Sequence, residues 1–130
     1  VRWIVDAMNV IGSRPDGWWK DRRRAMVRLV DQLERWASAE GHHVTVVFEQ
    51  RTSPPIHSSV VEVGHAPNAG PNAADDEIVR LVRADDRPQD INVVTSDITL
   101  AGRVRHAGAS TYPAASFRNL IERLPNPKHD

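Results

Sequence analysis

Val1-Arg2-Trp3-Ile4-Val5-Asp6-Ala7-Met8-Asn9-Val10-Ile11-Gly12 is the stretch from which the rest of the chain is read. Its apolar run, with β-branched Ile4 and Val5, predicts a buried strand. The run closes on a carboxylate, Asp6, followed three residues later by an amide, Asn9, and then by a glycine. In an open parallel sheet, ligands bind outside the carboxyl ends of the strands. A carboxylate that closes a buried strand also gains nothing from water and needs a partner. Asp6 is therefore the first candidate for a functional site.

Outward from this strand, apolar runs of two periods alternate. Residues 12–17, Gly-Ser-Arg-Pro-Asp-Gly, form a dense turn signal. From Trp18 to Gly41 the spacing predicts a helix, with Met26, Leu29, Val30, Leu33, Trp36 and Ala37 on one face and Arg24, Arg28, Asp31 and Arg35 on the other. Residues 43–49 (H-V-T-V-V-F-E) read as a second strand that again ends on a carboxylate, Glu49. Residues 60–63 read as a short third strand, 72–83 as a helix, 91–95 (I-N-V-V-T) as a fourth strand and 98–106 as a helix. Residues 109–111 make a short fifth strand, and 114–124 a closing helix stopped by Pro125 and Pro127. Strands alternating with helices predict one α/β domain over residues 1–130, with a mostly parallel sheet and helices on both faces. With right-handed crossovers, strands two and three fall on one side of strand one and strand four on the other, in the order 3-2-1-4-5. Asp6 and Asp97 then end neighbouring strands at the switch point.

Composition narrows the class. Seventeen basic residues balance seventeen acidic ones, so no global field steers the chain toward nucleic acid or lipid. An acidic pocket with a basic rim remains compatible with that balance. There is no cysteine, which removes disulfides and thiolate metal sites. No run approaches the ~20 apolar residues of a membrane span. The opening run, broken by Asp6 and Asn9, lacks the apolar core of a signal peptide. A cytoplasmic protein with no membrane partner is the expectation. Neither a dinucleotide fingerprint nor a P-loop is present. A haloacid-dehalogenase-like phosphatase would need a second Asp two residues after Asp6, where Met8 stands.

Asp75, Asp76 and Asp97 join Asp6 as carboxylates at element ends. Each has a plainer reading. Asp97 precedes a helix and suits an N-cap, Asp75 lies three residues after Asn72 as in a capping box, and Asn9 suits a turn. Together these readings weaken, because independent caps need not share one edge of a sheet. Carboxylates packed without a cation raise one another's pKa values. Hard oxygen donors without Cys or clustered His favour Mg²⁺ or Mn²⁺.

The segments V-D-A-M-N-V-I-G, V-V-F-E, N-A-A-D-D-E-I-V and V-V-T-S-D together resemble the NYN/PIN-like nuclease superfamily, and the order of all four resembles its YacP-like branch. That resemblance covers nearly the whole chain. It implies a PIN-like three-layer α/β sandwich and a metal-dependent endoribonuclease acting on messenger RNA in association with the ribosome. By the same resemblance Asp6, Asp75 and Asp97 hold Mg²⁺ or Mn²⁺, with Asn9 and Asp76 completing the catalytic set and Thr95 and Ser96 beside the last acid. A basic rim of Arg14, Lys20, Arg22, Arg23 and Arg24, with Trp18 or Trp19 stacking a base, would meet single-stranded RNA. Two positions depart from the branch pattern: Glu49 stands where relatives carry Asp, and Val79, four after Asp75, where relatives often carry an acid. They leave open a non-catalytic domain that binds RNA or the ribosome with a degraded metal site.

Overall fold

Alternation along the first strand sets the layers. In β1 (Arg2–Asp6) the side chains of Trp3 and Val5 enter one core and Ile4 the other, so Asp6 shares the parity of Ile4. This is a computed structural model, and it describes residues 2–68 and 70–123. The remaining strands are β2 (His43–Phe48), β3 (Glu62–His65), β4 (Ile91–Val94) and β5 (Ser110–Tyr112). They make one sheet in the order β3-β2-β1-β4-β5, parallel at every pair. The predicted order holds. Being covered on both faces, the central strands read as continuous apolar runs.

Among the described residues five α-helices cover the sheet: α1 (Ala7–Ile11), α2 (Arg22–Glu40), α3 (Ala73–Ala84), α4 (Ile98–His106) and α5 (Ala114–Glu122). α1, α2 and α5 pack with Trp3, Val5, Val44, Val46 and Phe48 on one face. Ile78, Val79 and Val82 of α3 and Leu100 and Val104 of α4 pack with Ile4, Val47 and Val93 on the other. Asp6 therefore points into the α3/α4 layer at the carboxyl edge. Among the described residues, no helix is long and apolar enough to cross a membrane.

Several boundaries differ from the sequence reading. Asn9 lies in a short helix, α1, that continues directly from β1, rather than in a turn. The long helix begins at Arg22: Trp18–Lys20 is a separate 3₁₀ turn, and the Asp21 side chain caps α2 by accepting from the Arg24 N–H at 3.1 Å. The third strand starts at Glu62 because the Ser58 hydroxyl takes the Val60 and Val61 N–H groups, which are then lost to the ladder. Asn72 opens α3 in a left-handed conformation (φ 62°) with no side-chain cap, so no capping box forms with Asp75. The expected end of the closing helix at Leu124, and the prolines after it, lie outside the described residues.

Candidate active site

β1 and β4 are neighbours, and the peptide that follows β4 brings Thr95, Ser96 and Asp97 beside the end of β1. Asp6 is only 6% exposed. Its Oδ2 accepts from the Thr95 hydroxyl at 3.0 Å, and the same hydroxyl oxygen accepts from the Asp97 N–H at 3.1 Å. The Asn9 side-chain oxygen accepts from the Ser96 N–H at 2.8 Å, tying α1 to the loop that carries Asp97. Asp97 is the N-cap of α4, with Oδ1 accepting from the Leu100 N–H at 2.9 Å. That cap uses one carboxylate oxygen and leaves the other for a second role.

Burial pushes the Asp6 carboxyl up to about 6; the Thr95 hydroxyl opposes this, and the negative charges of Asp75 and Asp97 add to it. Asp75, half-buried in the first turn of α3, is also raised, first by burial and then by Asp97, against the pull of Arg103. The three carboxylates thus come from three separate elements, and the Asp97 charge acts on both Asp6 and Asp75. They do not sit at ligand distance: among the described residues, no group of three Asp, Glu or His side chains is gathered tightly enough to hold an ion as it stands. Their chemistry nevertheless fits a hard divalent cation, which takes oxygen donors and relieves repulsion between carboxylates. Asp6, Asp75 and Asp97 are the residues that would hold it.

Asp76 is turned away from this trio. It is exposed and receives Arg103 Nη1 of α4 at 2.8 Å, which fixes α3 against α4 and separates the roles of the adjacent acids. Glu49 pairs with Arg22 at 2.6 Å and is absent from the charges that perturb Asp6 or Asp75. Val79 is buried in the core, so α3 supplies no further acid at that position. The Ser96 hydroxyl accepts from the Ala114 N–H at 2.9 Å and so caps α5.

The expected basic rim divides. Arg14 is bound to Asn119 and Glu122 of α5, Arg22 to Glu49, and Arg23 to the Pro54 carbonyl at 2.7 Å. Lys20 and Arg24 line a cleft on the α2 side of α1, beside Trp18. Trp19 is exposed, at right angles to Trp18. Sequence reasoning missed Arg103 and Arg118. Both act across elements far apart in the chain, and no local spacing signals such pairs. Arg118 donates to the Ile11 carbonyl at 2.9 Å and also pairs with Asp16.

The family model for the YacP-like NYN domain matches residues 3–130. UPF0178 proteins from three strains of Xanthomonas oryzae pv. oryzae are each 36% identical over 99 residues, covering 75% of this chain. The chain spans 56% of the length of those relatives. Two crystal structures of Rae1 (YacP) from Bacillus subtilis, one of a point mutant, superpose with a TM-score of 0.74. They share 27% and 26% identity with this chain and cover 95% of it, against 77% and 76% of their own chains.

Proposed function

We propose, from the premise that this chain belongs to the YacP-like NYN domain family, which has a nuclease-type fold, that it is a metal-dependent endoribonuclease. Its substrate would be single-stranded RNA, with ribosome-associated messenger RNA the class implied by the resemblance, and its site of action the cytoplasm. The observation that carries this reading is Asp6, a buried carboxylate facing Asp75 and Asp97 at the switch point of the sheet. A structural role alone gives no reason to place three mutually repelling acids there.

Asp6, Asp75 and Asp97 would hold Mg²⁺ or Mn²⁺. When bound, such an ion supplies charge against the scissile phosphate and lowers the pKa of a water for in-line attack. Thr95 fixes the orientation of the Asp6 carboxylate by donating to Oδ2. Asn9 acts by positioning, since its side-chain oxygen already holds the Ser96 N–H and with it the loop that carries Asp97. Asp76 holds Arg103, which moderates the negative charge at Asp75.

A second reading is a non-catalytic domain that binds RNA or the ribosome. It is favoured by the absence, among the described residues, of three acids at ligand distance and by the burial of Val79 where relatives often carry an acid. Incubating the protein with a panel of single-stranded RNAs, with Mg²⁺, Mn²⁺ or EDTA, separates the two. Metal-dependent cleavage lost in Asp6→Asn and Asp97→Asn is expected. RNA binding without cleavage under either metal would establish the second reading instead.

A further inference from the structure

The cleft on the far side of α1 has about 330 Å³ of space, at the small end of the ~300–1,000 Å³ typical of ligand pockets. Its floor is apolar: Val10 and Ile11 from α1, and Ala25 and Leu29 from α2. Its walls carry four cations, Lys20, Arg24, Arg28 and Arg118, against two carboxylates, Asp16 and Asp21. Both carboxylates are already engaged, Asp16 by Arg118 and Asp21 by the start of α2. Among the described residues, Lys20, Arg24 and Arg28 are in no ion pair, unlike Arg14 and Arg22 nearby. The Trp18 ring lines the cleft and has the Arg22 guanidinium over it at 5.7 Å.

We propose that this cleft takes one unpaired nucleotide of the RNA substrate, its base on the apolar floor beside Trp18 and its phosphate toward Arg24 and Arg28. An apolar floor with an aromatic wall suits a base face, and free guanidinium groups suit a phosphate. The size admits one nucleotide and excludes a duplex. α1 (Ala7–Ile11) follows Asp6 directly and, after about 7 Å of helix rise, ends on Val10 and Ile11 at the cleft floor, so one short helix connects the cleft to Asp6. The inference rests on the nuclease reading. It adds a contact that needs no divalent ion, because the cations here belong to the chain. It also suits a chain of zero net charge: the cations lining this cleft lie on the α2 side, whereas the acids of the candidate site lie on the α3/α4 side.

The test uses the whole chain in EDTA, so that the acidic site contributes only repulsion. The probes are AMP, GMP, CMP and UMP, and an eight-nucleotide RNA, read by the indole N–H resonance of Trp18. That resonance is assigned by its loss in Trp18→Phe. Saturable shifts are expected, with the affinity for the octamer falling about tenfold in Arg24→Ala/Arg28→Ala, as for the loss of charge-assisted hydrogen bonds. Both arginines are exposed on α2, and melting curves verify that the double variant is folded. With metal present, the same variant should raise KM for RNA about as much and leave kcat unchanged. No saturable shift in the wild type, or shifts untouched by the double substitution, would overturn the nucleotide cleft while leaving the catalytic reading to the cleavage assay. Shifts abolished by the substitution in a chain that cleaves no RNA would keep the cleft and sink the nuclease.

Discussion

Thr95 and Asp6, eighty-nine residues apart in sequence, share a buried hydrogen bond of 3.0 Å between the threonine hydroxyl and Asp6 Oδ2. The Thr95 hydroxyl oxygen in turn accepts from the Asp97 N–H, so a single hydroxyl joins the ends of β1 and β4. Donor and acceptor are both used, which only Ser or Thr can do with so small a side chain. Thr95→Val keeps the shape and strands a buried carboxylate oxygen and a backbone N–H. That costs about 1–3 kcal/mol, or a Tm lower by ~4–11 °C. Thr95→Ser should recover most of the loss. Equal melting temperatures for Thr95→Val and wild type would mean that the hydroxyl carries no such link.

The pH dependence of the metal-free protein follows from Asp6. Its folded pKa, about 6, lies above the ordinary 3.8, so the protonated form favours folding. The sign is then fixed. Stability from this group is complete below about pH 4 and is lost as pH rises through 6, a change on the order of 2–3 kcal/mol at most. Asp16, Asp85 and Glu77, held low by hydrogen bonds from Arg118, the Arg87 N–H and Arg80 respectively, act in the opposite sense in stronger acid. Melting curves in EDTA from pH 4.5 to 7.5 should therefore fall with rising pH, and Asp6→Asn should flatten that fall. Mn²⁺ at pH 7.5 should restore stability in the wild type alone. A wild-type profile that rises with pH over this interval would contradict the assignment.

Asp75 and Asp76 are neighbours in sequence with opposite surroundings, and their amides should behave differently. Asp75 faces Asp97, whereas Asp76 faces Arg103. Asp75→Asn should reduce cleavage by more than the ~10–100-fold typical of residues that only support a metal ligand. Asp76→Asn breaks an exposed ion pair, worth about 0–1 kcal/mol, and should reduce cleavage by less than Asp75→Asn does. Initial rates on one RNA substrate at saturating Mn²⁺ settle the order. The reverse ranking would move the metal role to Asp76.

How much of this was legible in the sequence differs by level. Period-two and period-3.6 patterns, with right-handed crossovers, predicted the parallel sheet and its order, in which Val5, Val46, Val94 and Leu33 share one core and Ile4, Val47 and Val93 the other. The position of Asp6 at a strand end was readable, but its face was not until Ile4 was seen to pack with α3 and α4. β3 was misplaced by two residues because Val60 and Val61 look like strand, and nothing in their own types shows that Ser58 takes their N–H groups. The rim divides for a similar reason. Five residues of sequence present Lys20, Arg22, Arg23 and Arg24 as equivalent, but Arg22 meets Glu49 and Arg23 meets the Pro54 carbonyl, partners brought by distant segments. Net charge and spacing cannot separate a cation that is spent from one that is free.

Asp97 carries two roles that a pair of substitutions can pull apart. Its Oδ1 caps α4 through the Leu100 N–H at 2.9 Å, so the plain structural reading of this residue is correct as far as it goes. Asn caps a helix as well as Asp, so Asp97→Asn should leave the metal-free fold at least as stable as before, with one negative charge fewer facing Asp6 and Asp75. Asp97→Ala removes the cap as well and should cost about 1 kcal/mol. If Asp97 only caps, Asp97→Asn changes neither Mn²⁺ binding nor cleavage. If it is also a ligand, calorimetric titration of Mn²⁺ should show affinity falling at least tenfold in both variants, while melting curves in EDTA separate them. Retained Mn²⁺ affinity in Asp97→Asn would reduce Asp97 to a helix cap and leave Asp6 and Asp75 too few to hold the ion alone.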